Sequence, residues 1–109
     1  MEFMKVADVS EIPAGAMKMA VYGGTEVLIV NFGGAYYAIN NKCTHAGARL
    51  SEGKLEGAVV TCPKHGSRFD VTSGKALSGP KIGFLKLKGK DVAAYDVRVD
   101  GTAVLIRPR

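Results

Sequence analysis

The sequence predicts a small all-β protein, an antiparallel sandwich or barrel. Three observations carry that reading. Short segments rich in β-branched residues recur along the chain, fourteen glycines punctuate them, and no long stretch repeats its apolar residues at helical spacing. At 109 residues the chain suits one compact domain, residues 1–109, with a modest core.

The elements follow in order. TEVLIVN (25–31) reads as a strand, Gly33-Gly34 as a turn, and AYYAIN (35–40) as the returning strand of a hairpin. GAVVT (57–61) and SRFDV (67–71) are short strands, and TSGKAL (72–77) is a turn. FLKLK (84–88) alternates, with Phe84, Lys86 and Lys88 on one side and Leu85 and Leu87 on the other. VAAYDVRV (92–99), a turn at Asp100-Gly101 and TAVLIRP (102–108) form a last hairpin. The candidate helices are short, near residues 8–12 and 49–53.

Composition excludes several classes. No segment approaches the ~18 consecutive apolar residues of a membrane span. Glu2, Lys5 and Asp8 interrupt the N-terminal region where a signal peptide would need an apolar stretch. A cytoplasmic protein with no membrane partner is expected. The net charge is +5, but the basic residues are scattered along the chain without interleaved aromatics, which argues against nucleic-acid binding. Gly23-Gly24 and Gly33-Gly34 lack the spacing of a nucleotide-binding loop.

The chemistry concentrates in two places. The chain has two cysteines and two histidines, and all four lie in CTHAG (43–47) and CPKHG (62–66). The pattern is Cys43-x-His45, sixteen residues, then Cys62-x-x-His65. Each half sits in a glycine-containing loop between strands, so loop ligands can converge. Gly47 and Gly66 let the backbone pass close to a bulky group. Thiolate with imidazole favours zinc or iron–sulfur. A structural zinc module stays open on residue types alone. Against it, zinc modules usually open with Cys-x₂₋₄-Cys or end with His-x₃₋₅-His, and here each half supplies one of each type. With both histidines inside this pattern, no Ser-His-Asp set is available, so an enzyme's active site is not expected.

On CTH…CPKHGS the chain resembles the Rieske [2Fe–2S] proteins, most closely the small soluble Rieske ferredoxins, over nearly its whole length. The resemblance implies a Rieske-like fold whose cluster-binding subdomain is formed by the two loops. It implies one [2Fe–2S] cluster, with Cys43 and Cys62 on one iron and His45 and His65 on the other. Such a site is neutral when oxidised, so it takes an electron more easily than a four-cysteine cluster does. Its potential falls between about −150 and +300 mV, against about −400 mV for plant-type ferredoxins.

Further residues take roles by the same resemblance. Relatives in cytochrome complexes carry a disulfide across the two loops; Ala48 and Lys64 stand at the matching positions. Ser67 matches a serine that donates to a bridging sulfide. Phe69 replaces a tyrosine that donates to the first ligand cysteine, so one donor is missing and a lower potential follows. Pro80 matches a proline loop that covers the cluster, or is a plain turn proline. Lys64 lies between two ligands and would help dock an acidic partner, or is simply solvated. Lys86, Lys88 and Lys90 read as a solvated strand face. The role implied is a one-electron carrier, monomeric, taking electrons from a flavin reductase and giving them to a terminal oxygenase. The alternative is a small subunit of a nitrite-reductase-type enzyme, whose members can lack the ligands that this chain keeps.

Overall fold

The computed structural model describes residues 2–44, 47–79 and 89–109, and the backbone alone of 81–82 and 85–86. Three antiparallel sheets account for the strands. The largest has six, in the order β1 (Met4–Asp8), β12 (Ala103–Pro108), β11 (Ala94–Asp100), β4 (Ala35–Asn40), β3 (Thr25–Phe32) and β2 (Met17–Tyr22). Its edge strands β1 and β2 lie side by side, so the sheet curls towards a closed barrel. A four-stranded sheet holds β5 (Lys54–Glu56), β6 (Val59–Thr61), β7 (Arg68–Asp70) and β8 (Ala76–Ser78) in chain order. β9 (Lys81–Ile82) and β10 (Leu85–Lys86) pair with each other.

The all-β expectation holds. The 25–40 hairpin forms as read, with Phe32 opposite Ala35 and both intervening glycines at positive φ, 63° and 89°. That sign pattern belongs to the turns whose twist matches antiparallel strands, and only glycine enters it without strain. Both candidate helices appear as single 3₁₀ turns, Val9–Glu11 and Leu50–Glu52. The last hairpin turns one residue later than expected: Asp100 pairs with Ala103, leaving Gly101-Thr102 as the loop. Two strands of the six, β1 and β2, gave no clear signal, because MKVAD and MKMAVY mix lysine and methionine into short runs. The TSGKAL turn runs into β8, whose pairing with β7 carries an irregularity at Leu77. The alternating faces read into 84–88 lie outside the described residues.

Two cores meet on one strand. Val27 and Ile29 of β3 face the barrel interior with Ala38, Tyr95, Val104 and Ile106. Leu28 and Val30 face the other way, packing with Ile39, Leu50, Val60, Phe69, Val71 and Val92 under the four-stranded sheet. Val27–Val30 is therefore apolar without alternation because both of its faces are buried. The second core also contains Cys43 and Cys62.

Candidate metal centre

The two ligand loops have the same backbone design. Lys42 bridges to Arg49 and closes residues 43–48; Thr61 pairs with Arg68 and closes residues 62–67. Within the first, Cys43 N–H donates to Ala48 O at 2.8 Å and Gly47 N–H to Cys43 O at 3.0 Å. Within the second, Cys62 N–H donates to Ser67 O at 2.7 Å and Gly66 N–H to Cys62 O at 3.3 Å. Each cysteine opens a six-residue loop, and each loop turns back on a glycine at positive φ, 69° for Gly47 and 76° for Gly66. A Cβ at Gly66 would meet no atom within 4 Å, so this glycine is required by its backbone conformation and not by a close protein neighbour.

The first loop is anchored by a residue the sequence reading did not single out. Asn41 is fully buried, and its side chain accepts from Ser51 N–H at 2.8 Å and donates to Ser51 Oγ at 3.0 Å. Its amide also reaches Glu26 Oε1, while its own carbonyl accepts from Leu50 N–H. Asn41 thereby pins the start of the loop to the 3₁₀ turn beyond its end. The available signal was an asparagine directly before a cysteine loop, a residue suited to bonding nearby backbone. Thr44, between the two expected ligands of this loop, donates to Lys90 O at 2.8 Å and ties it to the segment after the second sheet.

The site's electrostatics centre on two unlinked buried thiols, Cys43 and Cys62. Burial pushes the Cys62 thiol up. The N–H groups of Lys64 and His65 point at its sulfur and pull the other way, and the Cys43 thiol beside it pushes it up again. The two thiols thus lie beside each other with amide dipoles already aimed at one of them, an arrangement in which a cationic group could replace their protons. Of the three buried polar residues, Asn31 and Asn41 bond to protein. Ser67, next to this pair in the loop, has no hydrogen-bond partner for its hydroxyl among the described residues. A serine hydroxyl beside the pair can donate to an acceptor such as sulfide. Among the described residues, no three cysteine, histidine or acidic side chains gather on one point, and the two thiols do come together. This donor set fits the thiolate end of a two-iron, two-sulfide group.

The other expected residues fall as follows. Phe69 is fully buried in the second core, under the loops, and offers no hydroxyl. His65 is half-buried, with Nδ1 shielded from solvent, and Lys64 is exposed. Ala48 packs against the second core. His45 and Pro80 lie outside the described residues. Lys90, expected on a strand face, lies outside any strand, beside the first loop.

Comparison with known proteins agrees with this geometry. Residues 2–104 match the family model described as the Rieske [2Fe–2S] domain. The ferredoxin component of the naphthalene 1,2-dioxygenase/salicylate 5-hydroxylase systems of a Ralstonia species is 35% identical over 105 residues, 96% of this chain and 94% of that one. The solved ferredoxin of carbazole 1,9a-dioxygenase from Nocardioides aromaticivorans IC177 is 34% identical, with a TM-score of 0.82 and full coverage of both chains. A chain in a complex of reduced oxygenase and oxidized ferredoxin of carbazole 1,9a-dioxygenase is 30% identical, with a TM-score of 0.82, covering 95% of this chain and 91% of that one. With a matching family model, matching fold and paired thiol loops, the chain belongs to the Rieske [2Fe–2S] family and is a one-electron carrier with one such cluster.

Proposed function

We propose that residues 1–109 act as a single domain that passes electrons, one at a time, from a flavin reductase to a terminal oxygenase. Cys43 and Cys62 would hold one iron, and His45 and His65 the other. The cluster supplies a one-electron couple when bound. The chain's own residues do the rest. The amides of Lys64 and His65 stabilise the Cys62 thiolate, Ser67 donates its hydroxyl to the buried interior of the site, and Phe69 with Leu50 and Val60 excludes water beneath it. Support for the oxygenase partner comes from relatives named as ferredoxin components of dioxygenase systems. The protein acts in the cytoplasm as a monomer.

One observation carries the ligand assignment: two loops of equal backbone design bring two buried thiols together over a common core. The test is iron and sulfide analysis with an EPR spectrum of the reduced protein. Two irons and two sulfides per chain, with a g-average typical of histidine-ligated clusters, is the expected result. A single zinc and a colourless protein would refute it.

A further inference from the structure

The cations divide between the two halves of the molecule in a way the linear sequence hides. Residues 41–92, the cluster-binding half, hold ten Lys and Arg against four Asp and Glu; the remainder holds five against six. The halves also differ in pairing. In the barrel half every cation has a carboxylate: Lys5 with Asp8, Lys18 with Glu11, Arg98 with Asp100, and Arg107 and Arg109 with Asp96. In the other half, among the described residues, only Arg49 and Lys54 do. Lys42, Lys64, Arg68, Lys75 and Lys90 are exposed and have no carboxylate partner among the described residues.

Four of those five border the ligand loops. Lys42 precedes Cys43 and folds back over Gly47, where a Cβ would stand 3.1 Å from its Cε. Lys64 lies between Cys62 and His65. Arg68 closes the second loop opposite Thr61. Lys90 accepts the Thr44 hydroxyl through its carbonyl. Lys42 also lines a cleft of about 500 Å³ with Gly24, Thr25, Asn40, Gly47 and the Glu26–Arg49 ion pair, in which Lys42 is the cation left over. The carboxylates of this half are engaged. Asp70 accepts from Thr72, Asp91 caps Ala76 N–H, and Glu52 and Glu56 pair with Arg49 and Lys54. Those carboxylates keep their charge, but with ten cations to four of them this half carries an excess of six positive charges.

We infer that this end of the molecule docks onto a carboxylate-rich surface of its redox partner protein, with Lys42, Lys64, Arg68 and Lys90 as the docking cations. The inference rests on the electron-carrier reading. Unpaired charge of one sign around a transfer site raises the encounter rate with an oppositely charged partner and orients it. Ion pairing on the barrel removes the competing attraction there, so encounters are directed to the loops.

The experiment uses the cluster-loaded protein and three probes. Oxidation of the reduced protein is followed by stopped flow with hexacyanoferrate(III), an anion, and with tris(phenanthroline)cobalt(III), a cation. Ionic strength runs from about 10 to about 300 mM, across which screening becomes nearly complete at docking distances. A fluorescein-labelled octaglutamate peptide gives a binding readout by anisotropy, independent of electron transfer. The anion's rate should fall with salt and the cation's should rise. Lys42→Glu with Lys90→Glu brings the four docking positions to zero net charge and should flatten both trends, slow the anion at low salt about tenfold and abolish peptide binding. Lys5→Glu with Lys18→Glu should change none of these. Visible spectra establish that each variant keeps its cluster, and Lys64→Gln offers a milder replacement if the double reversal does not fold. Salt-independent rates in a protein whose spectrum bleaches on reduction overturn the docking surface and leave the carrier reading standing. A spectrum that does not respond to reductant overturns the carrier reading itself. Tighter binding of a labelled DNA duplex than of the peptide, through the same lysines, would assign the cations to nucleic acid and end the proposal.

Discussion

The barrel and the cluster-binding half are built from the same kind of strand and use glycine differently. At Gly15, Gly23, Gly24, Gly33, Gly34 and Gly101 of the barrel, an added Cβ would find nothing within 4 Å. In the other half, a Cβ on Gly53 would stand 1.9 Å from Thr61 O, and one on Gly74 would stand 2.1 Å from Val92 O. Barrel glycines turn the chain in open space. Gly53 and Gly74 of the cluster-binding half let one backbone segment lie against another, while Gly66 there turns in open space as the barrel glycines do. The strands differ in length to match: six of five to eight residues in the barrel sheet, four of three in the smaller sheet. Short strands bury little surface, so the smaller sheet depends on close backbone contact, on the shared second core and on the group its loops hold.

The most severe test of that contrast is to remove a thiol. Cys43→Ser or Cys62→Ser should yield protein with no iron or acid-labile sulfide, while the barrel stays folded. Its core holds neither cysteine, and Tyr22 and Tyr95 pack there with ring centroids 5.7 Å apart. Near-ultraviolet circular dichroism reports those tyrosines; loss of their signal together with the cluster would show that the two halves do not stand separately.

The next test compares two glycines at the same φ, 83° at Gly24 and 79° at Gly74. Gly24→Ala should cost about 1 kcal/mol, the conformational penalty alone. Gly74→Ala adds the collision with Val92 O and should cost about 3 kcal/mol or more. Urea unfolding of the two variants measures the difference, and equal losses would mean the 74–92 contact yields freely.

A smaller effect concerns tuning. Ser67→Ala should lower the midpoint potential, because a hydrogen bond to sulfur favours the reduced, more negative state. A differential of about 1 kcal/mol between redox states corresponds to roughly 40 mV for one electron. Phe69→Tyr should move the midpoint the other way if its hydroxyl reaches a thiolate. Potentiometric titration reads both, and an unmoved midpoint for Ser67→Ala would place the hydroxyl out of reach of the cluster.

The smallest effect is at the seam between the halves. Hydrogen bonds from the Arg49 guanidinium, then from Asn41, hold the Glu26 carboxyl below its ordinary range. A depressed carboxylate contributes stability above its unfolded pKa and loses it as pH falls through the folded value. The pair is exposed, so the contribution is slight. Glu26→Gln should leave stability at neutral pH close to the parent's and flatten the acid limb of the pH profile, as followed by urea midpoints. An unchanged acid limb would show that other carboxylates set it.

Local signals carried far in this chain. Gly33-Gly34 announces its hairpin because the turn needs positive φ at two positions. CTH and CPKH announce metal chemistry because thiol and imidazole rarely gather without it. The strands without a signal were the ones whose stability is not local. β1 and β2 contain lysines and methionines and become strands by pairing with β12 and β3. Asn41 was missed because its partners, Ser51, Leu50 and Glu26, are brought to it only by folding.

The sequence by itself determined the residue chemistry: an all-β chain with thiol and imidazole side chains gathered in two short loops, and Phe69 where a hydroxyl could have been. Only the tertiary structure decided which charges are cancelled. Pairing depends on distance in space, which the sequence does not state: it shows more cations than carboxylates in residues 41–92 but not which of them find a partner. Folding sets every barrel cation beside a carboxylate and leaves Lys42, Lys64, Arg68 and Lys90, around the loops that hold the thiols, without one among the described residues.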